Sequence, residues 1–230
     1  MTQRAASLPA RRVSRRRNPV HHFVRAWGAT DEELQMSFPC ERLVPPPHDV
    51  SVRAIDIDAP KEIVWRWLCQ IRVAPYSYDW LDNTGHQSPL GLIPGVERLV
   101  VGQPMMMTRP WCIFELVEFE TEKHMTLQTS PFARFALWTA RSSWGNVAYS
   151  YVLEPRGPDR CRLRIKTVGR ASVGIAQRLR NLVFPTIEAF MMRKHLLTLK
   201  ELAERHAQGD VPREPDKRPW YKRRPATVPS

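Results

Sequence analysis

No apolar run in this 230-residue chain approaches the ~20 residues that span a bilayer, so no membrane-crossing helix is expected. The N-terminus is positive, but it leads into "NPVHHFVRAWGATDEE", which lacks the continuous apolar stretch of an export signal. The four cysteines, Cys40, Cys69, Cys112 and Cys161, include no C-x-x-C pair and read as reduced thiols of a cytoplasmic protein. The seven histidines form no H-x-x-x-H or H-E-x-x-H pattern, and none stands at metal spacing with a cysteine. A P-loop, a G-x-G-x-x-G loop and a G-x-S-x-G elbow are also missing. No metal or cofactor is therefore expected, and Ser142, Ser143 and His124 read as ordinary polar groups at strand ends.

Acids are missing from one place in particular. Met1 to Thr30 holds seven arginines and no Asp or Glu, and Gln208 to Ser230 holds six basic residues against three acids. Asp31 to Ala207 has 22 basic and 20 acidic residues, so most of the +12 formal charge lies in the two ends. A folded part so close to neutral argues against specific nucleic-acid recognition, for which no RNP aromatics or recognition-helix pattern is present either. The charge reading divides the chain into a basic disordered tail at 1–26, a folded domain at 27–207 and a basic, proline-rich tail at 208–230. Weak contact of these tails with acidic surfaces is the expectation.

What is present is a hydrophobic content of 43% with 8 tryptophans, enough for a substantial core. Thr30 is placed to cap a short helix whose first turn carries Asp31, Glu32 and Glu33. Ser51 to Asp58 alternates, with Ile55 and Ile57 on one face and Asp56 and Asp58 on a wet one. Pro60 then opens a helix with Ile63, Val64, Trp67, Leu68 and Ile71 as its stripe and Trp65 at the border. Strands are expected over 99–107, 111–120, 125–129, 134–140, 146–154 and 161–168. The last is the clearest, with Cys161, Leu163, Ile165 and Thr167 opposite Arg162, Arg164 and Lys166. A long helical stretch closes the domain, broken or kinked at Pro185, with Ala189, Met192, Leu196, Leu199 and Ala203 in one stripe. An antiparallel sheet with one face to bury and one long helix to cover it is an α+β arrangement.

"WGATDEE" with "PCERLVP", then "RAIDIDAPKEIVWRWLCQI", "YSYDWLDN" and "MMRKHLLTLKELAER", together resemble the SRPBCC superfamily. This is the START-like, polyketide cyclase/dehydratase and lipid-transport group, and the likeness is to its bacterial members. It runs from about Trp27 to Arg205, with "PCE" where the group usually has "PGD". The resemblance implies a helix-grip fold, a curved antiparallel sheet wrapped around the C-terminal helix with an apolar cavity between them. It implies binding of a small hydrophobic or amphipathic molecule, lipid- or polyketide-like, in that cavity.

Tyr76, Tyr78 and Trp80 are candidates for the cavity rim, and Met107, Phe114, Trp138, Tyr149 and Met192 for its wall. Two further readings stay open. One is a polyketide cyclase or dehydratase using Tyr78, Asp79 or Arg109 as polar catalysts. The other is a non-catalytic interaction protein with a filled core and basic tails. Asp79 and Asp82, three apart, suit helix capping better than acid–base work, because burial is what splits carboxyl pKa values.

Overall fold

The computed structural model describes residues 19–46, 48–107, 112–131, 133, 146–170 and 175–210. In chain order the elements are α1 (Pro19–Ala26), α2 (Asp31–Gln35), a 3₁₀ turn (Pro39–Leu43), β1 (His48–Ile57), α3 (Lys61–Gln70) and α4 (Asp79–Asp82). There follow β2 (Pro104–Met107), β3 (Cys112–Glu120), β4 (His124–Thr129), β5 (Val147–Pro155), β6 (Cys161–Arg170) and α5 (Ile175–Ala207). The described strands form one six-stranded sheet in the order β1-β6-β5-β4-β3-β2, with every pairing antiparallel. The fold is α+β, an antiparallel sheet packed against a long C-terminal helix in a helix-grip arrangement. The strand expected at 134–140 lies outside the described residues.

Period-two alternation decides which side chains meet the helix. Ile57 on β1, Leu163 and Ile165 on β6, Tyr149 and Tyr151 on β5 and Leu127 on β4 join Met192, Leu196, Leu199 and Ala203 of α5 in one buried cluster. The final helix is continuous through Pro185, so the chain is not divided there into two helices. Packing of Ala189 and Met192 and an ion pair made by Glu188 hold the turn that follows the proline and offset its missing hydrogen bond. On α3, Trp65 is buried along with Trp67, not at a border. The segment after Leu90 explains this: Gly91 and Ile93 bond the Gln70 amide, and Glu97 pairs with Arg66, so α3 is enclosed on further faces.

The expected wet face of the sheet is covered as well. Residues 30–44 lie across it, with Phe38, Cys40 and Val44 packed on Ala148 and Val168. Every cation of the β6 alternation has a partner. Arg162 pairs with Glu33 at 2.5 Å and with Asp56 at 3.1 Å, Arg164 with Glu154 at 2.5 Å, and Lys166 with Glu41. The Thr30 cap forms as expected: the Thr30 hydroxyl accepts from Glu33 N, and Glu33 returns to Thr30 N at 2.8 Å.

The stretch assigned to the N-terminal tail by its charge is structured from Pro19. Helix α1 packs on β1 and α5, with Phe23 and Phe190 rings 5.2 Å apart and Arg25 paired with Asp49 at 2.5 Å. Arginine density masked a helical repeat of Val20, Phe23, Val24 and Trp27 in that stretch. The chain then turns over the edge of β1, where Ala54 N donates to Trp27 O at 3.1 Å. Gly28 makes this approach possible: its φ is +72°, and a Cβ there would lie 2.0 Å from the Ala54 carbonyl oxygen. Gly28→Ala is expected to cost at least about 2 kcal/mol, read as a lowered urea midpoint with an unchanged m-value.

Candidate functional site

The polar groups between sheet and helix are the candidates for chemistry. Arg53 on β1 shares the inward parity of Ile55 and Ile57 and is fully buried. Its guanidinium forks onto the Glu188 carboxylate of α5, one nitrogen at 2.9 Å from Oε1 and the other on Oε2. The same fork donates to Val24 O of α1 at 2.9 Å and to Ser51 Oγ at 3.1 Å, and Thr167 Oγ1 lies 3.4 Å from Glu188. Four elements thus meet on one ion pair.

One layer along α5, His195 is buried with Nδ1 2.6 Å from Pro75 O and Nε2 3.3 Å from the Tyr151 hydroxyl. Only a protonated Nδ1 can donate to the carbonyl, so Nε2 is the acceptor and Tyr151 the donor. Burial pulls the His195 pKa down to about 4. It pushes the Tyr149 and Tyr151 phenols well above their usual range, with the Glu188 charge adding to the rise. At neutral pH the His195–Tyr151 pair is therefore uncharged on both sides. It can offer a placed hydrogen bond, but as a general base it is far from matched to pH 7.

The residues singled out from sequence divide into several groups. Phe114, Tyr149 and Met192 fall in the same buried cluster, with the Phe114 and Tyr149 rings edge to face at 5.1 Å. Tyr76 is buried beside them, but its hydroxyl accepts from Gln70 Nε2 at 2.6 Å and its ring meets the edge of Trp67 at 6.0 Å. Its φ of +53° is a left-handed backbone, which tertiary contacts must hold in place. Tyr78 precedes α4 and is part-buried, while Trp80 on α4 is 74% exposed. Met107 ends β2, and its side chain lies outside the described residues, as do Trp138 and Arg109.

Asp79 and Asp82 have parted ways. Asp79 accepts from Ser88 N at 2.8 Å and Ser88 Oγ at 2.6 Å, so it clasps the 79–88 loop. Asp82 is buried, and neither carboxyl oxygen has a hydrogen-bond partner. Burial pushes its pKa up to about 6, the Ser77 hydroxyl nearby giving a smaller opposing effect while donating to Met191 O at 3.1 Å. Sequence reasoning passed over Arg53, Glu188, Tyr151 and His195. Strand parity marks Arg53 and Tyr151, and the α5 stripe marks Glu188, four residues before Met192.

A concavity opens on the outer face, about 610 Å³ in volume and walled by residues that include Glu33, Asp56, Glu154, Arg156, Arg162 and Arg164. Its charges are matched: Arg156 and Arg164 share Glu154, and Arg162 holds Glu33 and Asp56. Cys40, Cys69 and Cys161 are free and buried, with burial pushing each thiol up and away from reactivity. Among the described residues, no group of His, Cys, Asp or Glu could hold a metal ion, and no helix is long and apolar enough to cross a membrane.

No family model and no curated relative matches the chain. Solved structures do. The Thalictrum flavum norcoclaurine synthase point mutant, in complex with a transition-state analogue, is 15% identical with a TM-score of 0.42, over 71% of this chain and 98% of its own. The Aha1 dimer from Colwellia psychrerythraea is 17% identical with a TM-score of 0.43, over 68% and 96%. The di-domain ARO/CYC BexL from the BE-7585A biosynthetic pathway is 14% identical with a TM-score of 0.39, over 68% of this chain and 46% of its own. These structural neighbours are SRPBCC proteins at low identity. With TM-scores below 0.5, the fold class rests on the strand order and helix placement above, and no residue role is carried across.

The buried imidazole makes stability pH-dependent. Because His195 is neutral when folded, the unfolded chain binds the extra proton between pH 6.5 and about 4, and stability falls with pH across that window. Its contribution is a loss of about 2 kcal/mol between pH 7 and 5. Asp82 acts oppositely: its raised pKa adds protons to the folded state between 3.8 and about 6, so its cost to stability is relieved on acidification. Urea titrations at the two pH values are expected to show a smaller acid loss in His195→Asn than in the natural chain, and a larger one in Asp82→Asn.

Proposed function

We propose that the protein binds a small hydrophobic or amphipathic molecule, lipid- or polyketide-like, between the sheet and α5. The observation that carries this reading is the make-up of the buried layer between the sheet and α5. Phe114, Tyr149 and Met192 supply aromatic and thioether surface, and the neutral Tyr151–His195 pair and the Tyr149 phenol stand among them. Apolar lining with a few fixed polar groups is the usual make-up of a small-molecule site, and methionine adapts to irregular ligands. The full charges nearby, Arg53 and Glu188, neutralise each other, so the wall favours an uncharged body over an ion.

A cyclase- or dehydratase-type enzyme is the second reading, favoured by the presence of an ionisable, hydrogen-bonded pair inside. The direction of the His195 shift weighs against it, since a base near pH 4 abstracts protons poorly at pH 7. The two differ in what happens to the bound molecule.

Native mass spectrometry of the freshly purified full chain, followed by organic extraction, tests the proposal. A mass excess of a few hundred daltons that disappears on denaturation is expected, and Met192→Trp, which fills the wall, is expected to reduce it at least fivefold. A bare polypeptide mass, together with no uptake of added fatty acid or polyaromatic probe, overturns the reading. Recovery of an extracted molecule chemically altered after incubation assigns the enzyme instead.

A further inference from the structure

Of the nine large apolar side chains exposed among the described residues, five stand on α1, α4 and α5. Val20 on α1 is 67% exposed, Ile187 and Phe190 on α5 are 44% and 50% exposed, and Trp80 on α4 is 74% exposed. The Phe23–Phe190 ring contact sets α1 on one flank of this α5 face. Val20 lies one turn before Phe23, and Ile187 one turn before Phe190, so each pair shares a helix side. The Ser77–Met191 hydrogen bond ties to α5 the segment that leads into α4, where Trp80 and Leu81 are exposed. Large apolar side chains exposed on adjoining elements mark a candidate interaction surface.

Charge says what the surface meets. Helix α1 contains no acid, and the sole acid between Ile187 and Lys194, Glu188, is buried and spent on Arg53; α4 carries two acids, Asp79, which is bonded to Ser88, and Asp82, which is buried. Lys194 is exposed one turn beyond Phe190. The eighteen residues ahead of Pro19 hold six arginines and no acid. Arg15, Arg16 and Arg17 stand immediately ahead of Asn18 and Pro19 in the sequence. An exposed tryptophan and phenylalanine among aliphatics, fringed by cations, match the boundary of an anionic lipid bilayer. Nucleic acid would use the arginines but gain nothing from Val20, Leu81 or Ile187, which have no π-face for a base.

We propose that the α1–α4–α5 face, with the arginine-rich stretch before α1, docks the protein on anionic membrane surfaces. The apolar side chains enter the headgroup boundary, and the arginines hold the protein there. Each arginine near the surface is expected to strengthen binding about fivefold. This surface is separate from the inner wall, so its failure would leave the interior reading standing, and the converse also holds.

The test is flotation of the full chain with vesicles of phosphatidylcholine alone and of phosphatidylcholine with about one-third phosphatidylserine. Binding only to the anionic vesicles, weakened by salt, is expected. Trp80→Ser with Ile187→Ser leaves charge unchanged at two exposed positions, and is expected to weaken binding at least tenfold. Replacing Arg15, Arg16 and Arg17 with Gln is expected to weaken it roughly 100-fold. Circular dichroism checks that both variants fold. The proposal is overturned by no binding to anionic vesicles at low salt, by a Trp80/Ile187 variant that binds like the natural chain, or by an oligonucleotide that binds tighter than the vesicles.

Discussion

A guanidinium and a carboxylate paired out of water between the sheet's edge strand and the long helix govern the arrangement of the molecule. Arg53 and Glu188 sit on β1 and α5, and the same guanidinium reaches α1 through Val24 O. Taking two charges out of water costs several kcal/mol each, and only a bidentate geometry with further hydrogen bonds offsets it. Ser51 and Thr167 supply some of those bonds. The pair therefore fixes one register: β1 at the sheet edge, α5 past Pro185, and α1 closing over both. It also sets the electrostatics of the interior, because Glu188 raises the neighbouring phenols.

The sheet consequently has no bare face. Its inner side meets α3 and α5, and its outer side meets residues 30–44, which pair with Arg162 and Lys166 and bury a small apolar cluster of their own. Arg162, Arg164 and Lys166 of β6 are paired with acids, while the eighteen residues ahead of α1 hold six arginines and no acid. That division underlies the two proposals, an apolar guest against the neutral interior and an anionic surface against the apolar side chains and arginines outside it.

Much of this could be read from residue order. The β6 alternation, the Thr30 cap and the α5 stripe follow from local periodicity and turn chemistry, and all form as read. Interior polarity was legible in principle, since Arg53 keeps step with Ile55 and Ile57, but a cation on an apolar face looks like an exception until its partner 135 residues later is known. Burial of Trp65 and of the β6 cations depends on segments distant in sequence, which periodicity does not see. Charge counting hid α1 because arginines outnumbered the apolar residues that carry the helix. Tyr76 is a different case: its aromatic character was visible, but its positive φ and its bond to Gln70 are tertiary facts. Trp80, read as rim by its neighbours Tyr76 and Tyr78, turns outward because α4 is one short turn with its carboxylates directed to the loop and the interior.

A double-mutant cycle on the central pair tests this account most directly. Unfolding free energies would be measured for Arg53→Met, Glu188→Met and the double variant. Each single change is expected to cost about 3–5 kcal/mol, because it strands a buried charge, and the double change is expected to cost less than the sum by at least about 2 kcal/mol. Single costs below about 1 kcal/mol, or costs that simply add, would contradict the claim that this pair holds sheet, helix and N-terminal arm in register.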